Sequence, residues 1–310
     1  MILTVTLNTS VDKLYVVERL NSYEVSRVQR VNNTAGGKGL NVSRVVAQLG
    51  ESVIAMGFAG GFTGQYFESL ITEKEIHKAF TKIKAETRNC VNIWDLEKQA
   101  STELLEAGSP VTDSEIENFY KDFEEQLPKA SVVAISGSAP AGVSPQVYAK
   151  LIEICKKAGK TVLVDTSGAL LVGSVEAKPY CIKPNTDEMA QLLGHTIENR
   201  DELIEAAKKL HHDGIPVVIV SLGSEGALMV CDEGVFLGAP PKITAVNTVG
   251  CGDSMIAGFA VGVARGLSSA EQLRLAVAVS AANALSMNTG NYDPKDFDRL
   301  FPQVRVEKMV

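Results

Sequence analysis

Six short runs of β-branched and other apolar residues punctuate the chain: Ile2–Leu7, Ser52–Phe58, Val132–Ser136, Thr161–Asp165, Tyr180–Lys183 and Pro216–Leu222. Several are apolar almost throughout, without the polar alternation of a strand wetted on one side. Such strands need cover on both faces, and a parallel sheet between two helical layers supplies it. Helical patterns lie between them. Over Asp113–Leu127, Ile116, Phe119, Tyr120, Phe123 and Leu127 share one face, and Thr112 with Glu115 forms a capping box ahead of them. A second helix is expected from about Gly39 to Leu49, stopping at Gly50. This alternation predicts an α/β fold with a doubly wound, mostly parallel sheet and helices on both faces.

Two regions break the alternation. Between Lys13 and Thr34, Leu14–Val17 and Arg27–Val31 read as strands with no helix between them; between Arg88 and Glu106, Cys90–Trp94 and Thr102–Leu105 do the same. Two hairpins projecting from an α/β core predict a small β-sheet lid over a ligand site, able to exclude water on closure. The expected organisation is a single domain over residues 1–310, with lid strands from about 13–34 and 88–106 inserted in the core.

Composition narrows the function. Hydrophobic residues are 45% and charged residues 22%, as in an ordinary soluble globular protein. A formal net charge of -7 argues against a nucleic-acid partner. It leaves room for an anionic substrate, which a few clustered Lys and Arg can bind. The five cysteines, Cys90, Cys155, Cys181, Cys231 and Cys251, are odd in number and form no Cys-x-x-Cys, so neither a disulfide framework nor a zinc site is expected. The first residues read as a strand rather than a secretion signal, and no apolar stretch reaches the length of a membrane span. The expected setting is cytoplasmic, with no membrane partner.

Five loops carry the chemistry. In Asn247-Thr248-Val249-Gly250-Cys251-Gly252-Asp253-Ser254, two glycines flank a small residue and Asp253 opens an apolar helix. Backbone N–H groups at a helix start suit an anion, and Asp253 could accept the proton of an attacking hydroxyl. The same residues would equally make a Gly-rich turn with Asp as a cap. In Ala35-Gly36-Gly37-Lys38-Gly39-Leu40-Asn41, backbone could approach a polyhydroxylated ligand while Lys38 and Asn41 supply hydrogen bonds; the spacing is not that of a P-loop. Lys183-Pro184-Asn185-Thr186-Asp187-Glu188 follows a buried strand. Asn185 and Glu188 there suit Mg²⁺ held through water and phosphate oxygens, or a capping box. Ser221-Leu222-Gly223-Ser224-Glu225-Gly226-Ala227 could wrap a nucleotide, or equally make a βα turn or a hairpin. Ser136-Gly137-Ser138-Ala139-Pro140-Ala141-Gly142 offers small residues at a strand end. Asn8, Ser10 and Asp12 close the first strand, and Arg27 and Arg88 belong to the lid; guanidinium groups suit phosphate.

Each loop alone is ambiguous; their joint order is not. The sequence resembles the ribokinase-like carbohydrate kinases throughout its length, and within them the branch of tagatose-6-phosphate kinases and 1-phosphofructokinases. The resemblance rests on the N-terminal Asn8-x-Ser10-Val11-Asp12, the Gly-Gly-Lys-Gly-Leu-Asn loop, Thr87-Arg88, the Gly-Ser-x-Pro-x-Gly turn, the Lys-Pro-Asn-x-x-Glu corner and the Gly-x-Gly-Asp helix start. It implies ATP and Mg²⁺, with Asp253 as catalytic base and the amides of Gly250, Cys251 and Gly252 as an anion hole. It implies Asn185 and Glu188 organising Mg²⁺ and the ATP phosphates, Lys183 reaching those phosphates, and Ser221, Gly223 and Gly226 lining the nucleotide site. Asp12, Gly37, Lys38 and Asn41 would hold sugar hydroxyls, with Ser138 in the same substrate-binding set. Arg88 would bind the phosphate already on the sugar, and Arg27 would serve it from the neighbouring subunit of a lid-to-lid homodimer.

Three positions depart from the family pattern: Thr9 stands where Pro is usual, Asn247 where many members have Asp, and Cys251 where Ala is usual. A thiol beside the anion hole would make the enzyme sensitive to alkylation. The implied reaction converts a ketohexose monophosphate to the 1,6-bisphosphate. Glu86-Thr87-Arg88-Asn89-Cys90 looks more like the tagatose-6-phosphate enzymes; fructose 1-phosphate is the alternative substrate. A non-catalytic sugar-phosphate sensor on the same fold is the reading from a different class.

Overall fold

The computed structural model describes residues 1–309. Its strands, in chain order, are β1 (Ile2–Thr6), β2 (Ser10–Val17), β3 (Val28–Gly36), β4 (Val53–Gly60), β5 (Ile76–Ile83), β6 (Arg88–Asp95) and β7 (Ala100–Leu105), followed by β8 (Val132–Ser136), β9 (Thr161–Asp165), β10 (Cys181–Ile182), β11 (Val217–Ser221), β12 (Ala227–Cys231), β13 (Gly234–Ala239) and β14 (Arg305–Lys308). They form a ten-stranded sheet, ordered β14-β13-β12-β11-β10-β9-β8-β1-β4-β5, and a four-stranded sheet, ordered β3-β2-β6-β7. From β5 across β1 to β11 every pairing is parallel; β12, β13 and β14 continue antiparallel. This is the expected ribokinase-like α/β architecture with a second small sheet.

The near-continuous apolar strands divide their side chains between two layers. Ile2, Val132, Ala134, Val217 and Ile219 join the core under the helices Lys38–Gln48, Cys251–Ala264 and Ser269–Ala284. Their neighbours Leu3, Val133, Ile135, Val218 and Val220 join the opposite core with Phe119, Phe123, Tyr148 and Leu151. The period of two in a strand turns one apolar run into two cores. The helix Asp113–Gln126 carries the expected capping box, and Phe119 packs its ring 5.1 Å from that of Phe58.

The small sheet joins its two hairpins side by side. β2 pairs antiparallel with β3, β6 pairs antiparallel with β7, and β2 runs parallel to β6 with Ser10 opposite Arg88. Its strands begin closer to the core than the sequence suggests, β2 at Ser10 and β6 at Arg88. Strand β5, like β12, β13 and β14, is not among the runs read from the sequence. β5 is an edge strand whose His77 and Lys78 face solvent, so its apolar run is broken. The segment from Ser221 to Ala227 forms the hairpin turn between β11 and β12, one of the readings the sequence left open.

The chain places β4 on one side of β1 and returns later to place β8 on the other. Such a reversal opens a crevice at the carboxyl ends of the strands. Every loop singled out above, apart from the lid, leaves that edge or flanks it.

Candidate active site

A cleft of about 610 Å³ lies between this edge and the inner face of the small sheet. Its floor carries Gly37, Lys38, Asn41, Gly250, Gly252 and Asp253. Its lid wall carries Asp12, Arg88, Cys90, Asn92 and Glu103, which the strand register brings side by side.

Asp253 occupies the first turn of the helix Cys251–Ala264, whose N-cap is Gly250 at φ 82. A side chain would be strained in that left-handed conformation, and its Cβ would lie 2.6 Å from Thr289 Cγ2. The amide of Cys251 bends back to the Thr248 carbonyl at 3.3 Å, while those of Gly250 and Gly252 find no acceptor among the described residues. Unengaged amides thus stand at the helix start, where the helix field is positive. Asp253 is 5% exposed, and Asn41 Nδ2 donates to its Oδ2 at 2.8 Å. Burial, then the nearby Asp165 carboxylate, push its pKa up to about 6, against the pull of Lys38, Asn41 and Lys183. The group is ionised above that pH and near the value that suits a base.

Lys183 and Asp165 form a buried ion pair at 3.1 Å beneath the helix start, with Lys183 Nζ 3.4 Å from where a Cβ on Gly252 would lie. The second oxygen of Asp165 has no hydrogen-bond partner. Lys38 opens into the cleft; the carboxylates of Asp165, Asp253 and Glu188 hold its pKa up against burial, so it stays charged. On the lid wall, burial raises the pKa of Asp12, opposed by Ser10, which donates to it at 2.6 Å, and by Arg44 and Arg88.

Asn185 and Glu188 form a reciprocal capping box, Asn185 N–H to Glu188 Oε2 at 2.9 Å and Glu188 N–H to Asn185 Oδ1 at 2.8 Å. The cap reading of this corner is realised. One oxygen of Glu188 remains uncommitted, which fits a hard ion completed by water and phosphate oxygens but not a cage of protein ligands. No group of three or more His, Cys, Asp or Glu suited to a metal is found among the described residues.

Other residues fall outside the cleft. Ser221 accompanies Asn185 in a parallel bridge, exposed Gly223 sits in the hairpin turn, and Gly226 is buried in it. Ser138 is exposed and accepts from Asn8 Nδ2 at 3.1 Å; it does not line the cleft. Arg27 is exposed on the lid and does not line it either. Burial pushes the Cys251 thiol above its ordinary pKa, and Asn283 Nδ2 lies 3.5 Å from its sulfur. Little thiolate is present at neutral pH, against the expected alkylation sensitivity.

Residues 5–296 match the model of the pfkB family of carbohydrate kinases. The chain belongs to that family. This kinase is thus an ATP-dependent sugar phosphotransferase, and its family uses ATP with a divalent metal. It is similar to phosphofructokinase-2 from Escherichia coli in complex with potassium, at 29% identity over 97% of this chain and 98% of that one, with a TM-score of 0.91. It is also similar to a possible 1-phosphofructokinase from Thermotoga maritima, at 26% identity over 100% of both chains, with a TM-score of 0.86. The Escherichia coli enzyme has been solved with fructose-6-phosphate, at 28% identity over 97% and 98% of the two chains and a TM-score of 0.89, and in a tetrameric inhibited form. No helix among the described residues is long and apolar enough to cross a membrane.

Sequence reasoning passed over three residues of this kinase's cleft region. Asp165 ends a buried strand at the ligand edge, a position that was itself the signal. Arg44 stands three residues after Asn41 on the same helix, on a shared face. Glu73, before β5, meets Arg44 at 3.3 Å and carries no local pattern.

Proposed function

We propose that this kinase transfers the γ-phosphoryl group of ATP to the free primary hydroxyl of a ketohexose monophosphate, giving the 1,6-bisphosphate, with tagatose 6-phosphate as the preferred substrate. The observation that carries the reading is a buried carboxylate, Asp253, with one oxygen held and the other free, at a helix start opposite a wall bearing Arg88. Asp253 Oδ1 has no protein donor among the described residues, so it is the atom to receive the hydroxyl proton. The unengaged amides of Gly250 and Gly252, with Lys38, stabilise charge on the transferring group as it develops. Asn185 and Glu188 would hold Mg²⁺ among the ATP phosphates, where the ion supplies charge neutralisation. Lys183 adds its field from below, and Ser221, Gly223 and Gly226 would border the nucleotide.

Arg88 and Lys38 neutralise the sugar phosphate, and Asp12 and Gly37 face its hydroxyls. The preference for tagatose 6-phosphate over fructose 1-phosphate rests on the likeness of Glu86–Cys90 to the tagatose-6-phosphate enzymes. The test is an ADP-release assay with Mg-ATP and tagatose 6-phosphate, fructose 1-phosphate, fructose 6-phosphate and free fructose. Turnover highest with tagatose 6-phosphate is expected. Turnover of free fructose alone would overturn the phosphate assignment, highest turnover with fructose 6-phosphate the choice of epimer, and highest turnover with fructose 1-phosphate both the epimer and the position of the phosphate already on the sugar.

The working form is a homodimer through the lid. Tyr23, Val25, Val31 and Leu104 are exposed apolar residues on the small sheet and its connection, more apolar surface than a monomer's lid requires. Arg27 stands among them, exposed, and would serve a neighbour's cleft. Val31→Asp is expected to yield a monomer by sedimentation velocity, with KM for the sugar phosphate raised about tenfold by loss of one charge-assisted contact. A variant that stays dimeric would remove the lid from the interface.

A further inference from the structure

An asparagine amide has two ends of nearly equal size, one that donates and one that accepts. Which end meets a neighbouring carboxylate decides whether the contact stabilises the charge or repels it. Asn41 does not set this choice itself, because its rotation about the last bond interchanges the two ends.

Arg44 sets it. Its Nη1 donates to Asn41 Oδ1 at 3.1 Å, and a guanidinium can only donate. The amide oxygen is thereby turned to Arg44 and the nitrogen to Asp253 Oδ2. Arg44 is itself fixed from two further sides: Nη2 donates to the Ala35 carbonyl, and Nε meets Glu73 Oε1 at 3.3 Å. Its side chain is 12% exposed, so water does little to hold its charge, and Glu73 opposes the effect of burial on it. Gly290 closes the other side of Asn41. At φ +63, a Cβ there would lie 2.8 Å from Asn41 Cβ, so only glycine lets the loop pack this closely.

We propose that Arg44, braced by Glu73, is a positioning residue that holds the Asn41 amide so that its nitrogen faces Asp253 and leaves Asp253 Oδ1 free for the substrate hydroxyl. The catalytic meaning rests on Asp253 being the base, as proposed above; the orienting contact is a separate claim. The charged groups facing Asp253 are Asp165 at the end of β9, Lys38 on the helix that carries Asn41 and Arg44, and Lys183 beyond β10. None of them changes in the variants below; the charge of Arg44 itself is lost in Arg44→Met, and the double variant separates its direct field on Asp253, which would add to the effect of Asn41→Leu, from an effect passed through the amide.

The experiment is a ¹³C-carboxyl NMR titration of the full-length kinase, with the Asp253 resonance assigned by its absence in Asp253→Asn. In Arg44→Met the midpoint of Asp253 is expected to rise by about one pH unit, the scale of one lost hydrogen bond to a carboxylate. Asn41→Leu is expected to raise it similarly, and the double variant no further. A midpoint unmoved in Arg44→Met, or shifts that add in the double variant, would overturn the proposal. If Arg44→Met does not fold, Arg44→Lys serves; one ammonium cannot span Ala35, Asn41 and Glu73 together, so a smaller rise is expected and no rise overturns the claim. The acid limb of kcat/KM answers the other question. If it fails to follow the Asp253 midpoint while the midpoint moves as stated, Asp253 is not the base and Arg44 still orients Asn41.

Discussion

Asp253→Asn is expected to lower kcat by about 10²–10⁴, the usual loss on removing a general base, and to raise the melting temperature of the kinase at the same time. The two effects share one cause. The carboxylate is buried beside Asp165, and its pKa lies near 6 rather than at its ordinary 3.8. The folded protein therefore binds the proton more tightly than the unfolded chain. Stability is greatest where Asp253 is protonated and falls as pH rises from about 4 through about 6. Above that range the wild type carries a penalty on the order of 2–3 kcal/mol, from the conversion of 1.36 kcal/mol per pH unit. Asparagine keeps the size and an oxygen for Asn41 but never ionises, so it escapes the penalty. Wild type and variant should converge in stability near pH 4 and differ by a few degrees in Tm at pH 8. Thermal unfolding at the two pH values, with turnover at pH 8, checks both halves. A variant less stable than wild type at pH 8 would mean that Asp253 is held by partners stronger than its burial. Near-normal turnover would remove it from the chemistry. The wild-type rate itself should fall below about pH 6, where the base is protonated.

The fold was legible because it follows from side-chain period. Ile2, Leu3 and Val5 cannot sit in one strand without two apolar layers to receive them, and the sheet supplies both. β5 was not legible because it lies at the edge, where exposed His77 and Lys78 interrupt the run. In the site, local motifs announced the loops but not their internal contacts. Asn185 and Glu188 read equally as metal ligands and as a cap, and the cap is made within the segment itself. Asn41 read as a sugar ligand, yet Arg44 engages one end of its amide and Asp253 the other, leaving one N–H for a hydroxyl. Gly290 is 249 positions from Asn41, as the sequence numbering gives it, and nothing local at either residue announces that they touch. Side chains joined by distant turns of the chain are the part that periodicity cannot supply.

Arg88→Met is expected to raise KM for the sugar phosphate by about 10², with ATP affinity unchanged. Arg88 stands where the lid meets the core. Its Nη1 donates to the Glu106 carbonyl at 2.8 Å and its Nη2 to the Asn8 carbonyl at 3.1 Å. Its Nε is buried without a partner, beside the cleft. An unpaired buried donor on a cation is costly, and a phosphate oxygen would relieve it. Each charge-assisted hydrogen bond is worth about 1.5–3 kcal/mol, so losing one accounts for a factor of about 10–150. Methionine keeps much of the alkyl packing and removes every donor. The backbone contacts to Glu106 and Asn8 are lost too, which loosens the lid for any substrate. The control is therefore the free ketohexose, which has no phosphate to grip. If Arg88 binds the phosphate, kcat/KM for the sugar phosphate falls by far more than kcat/KM for the free sugar. Equal losses on the two substrates would make Arg88 a lid anchor, and the cation for the phosphate would then have to be sought at Lys13 or Lys38, both of which line the same cleft.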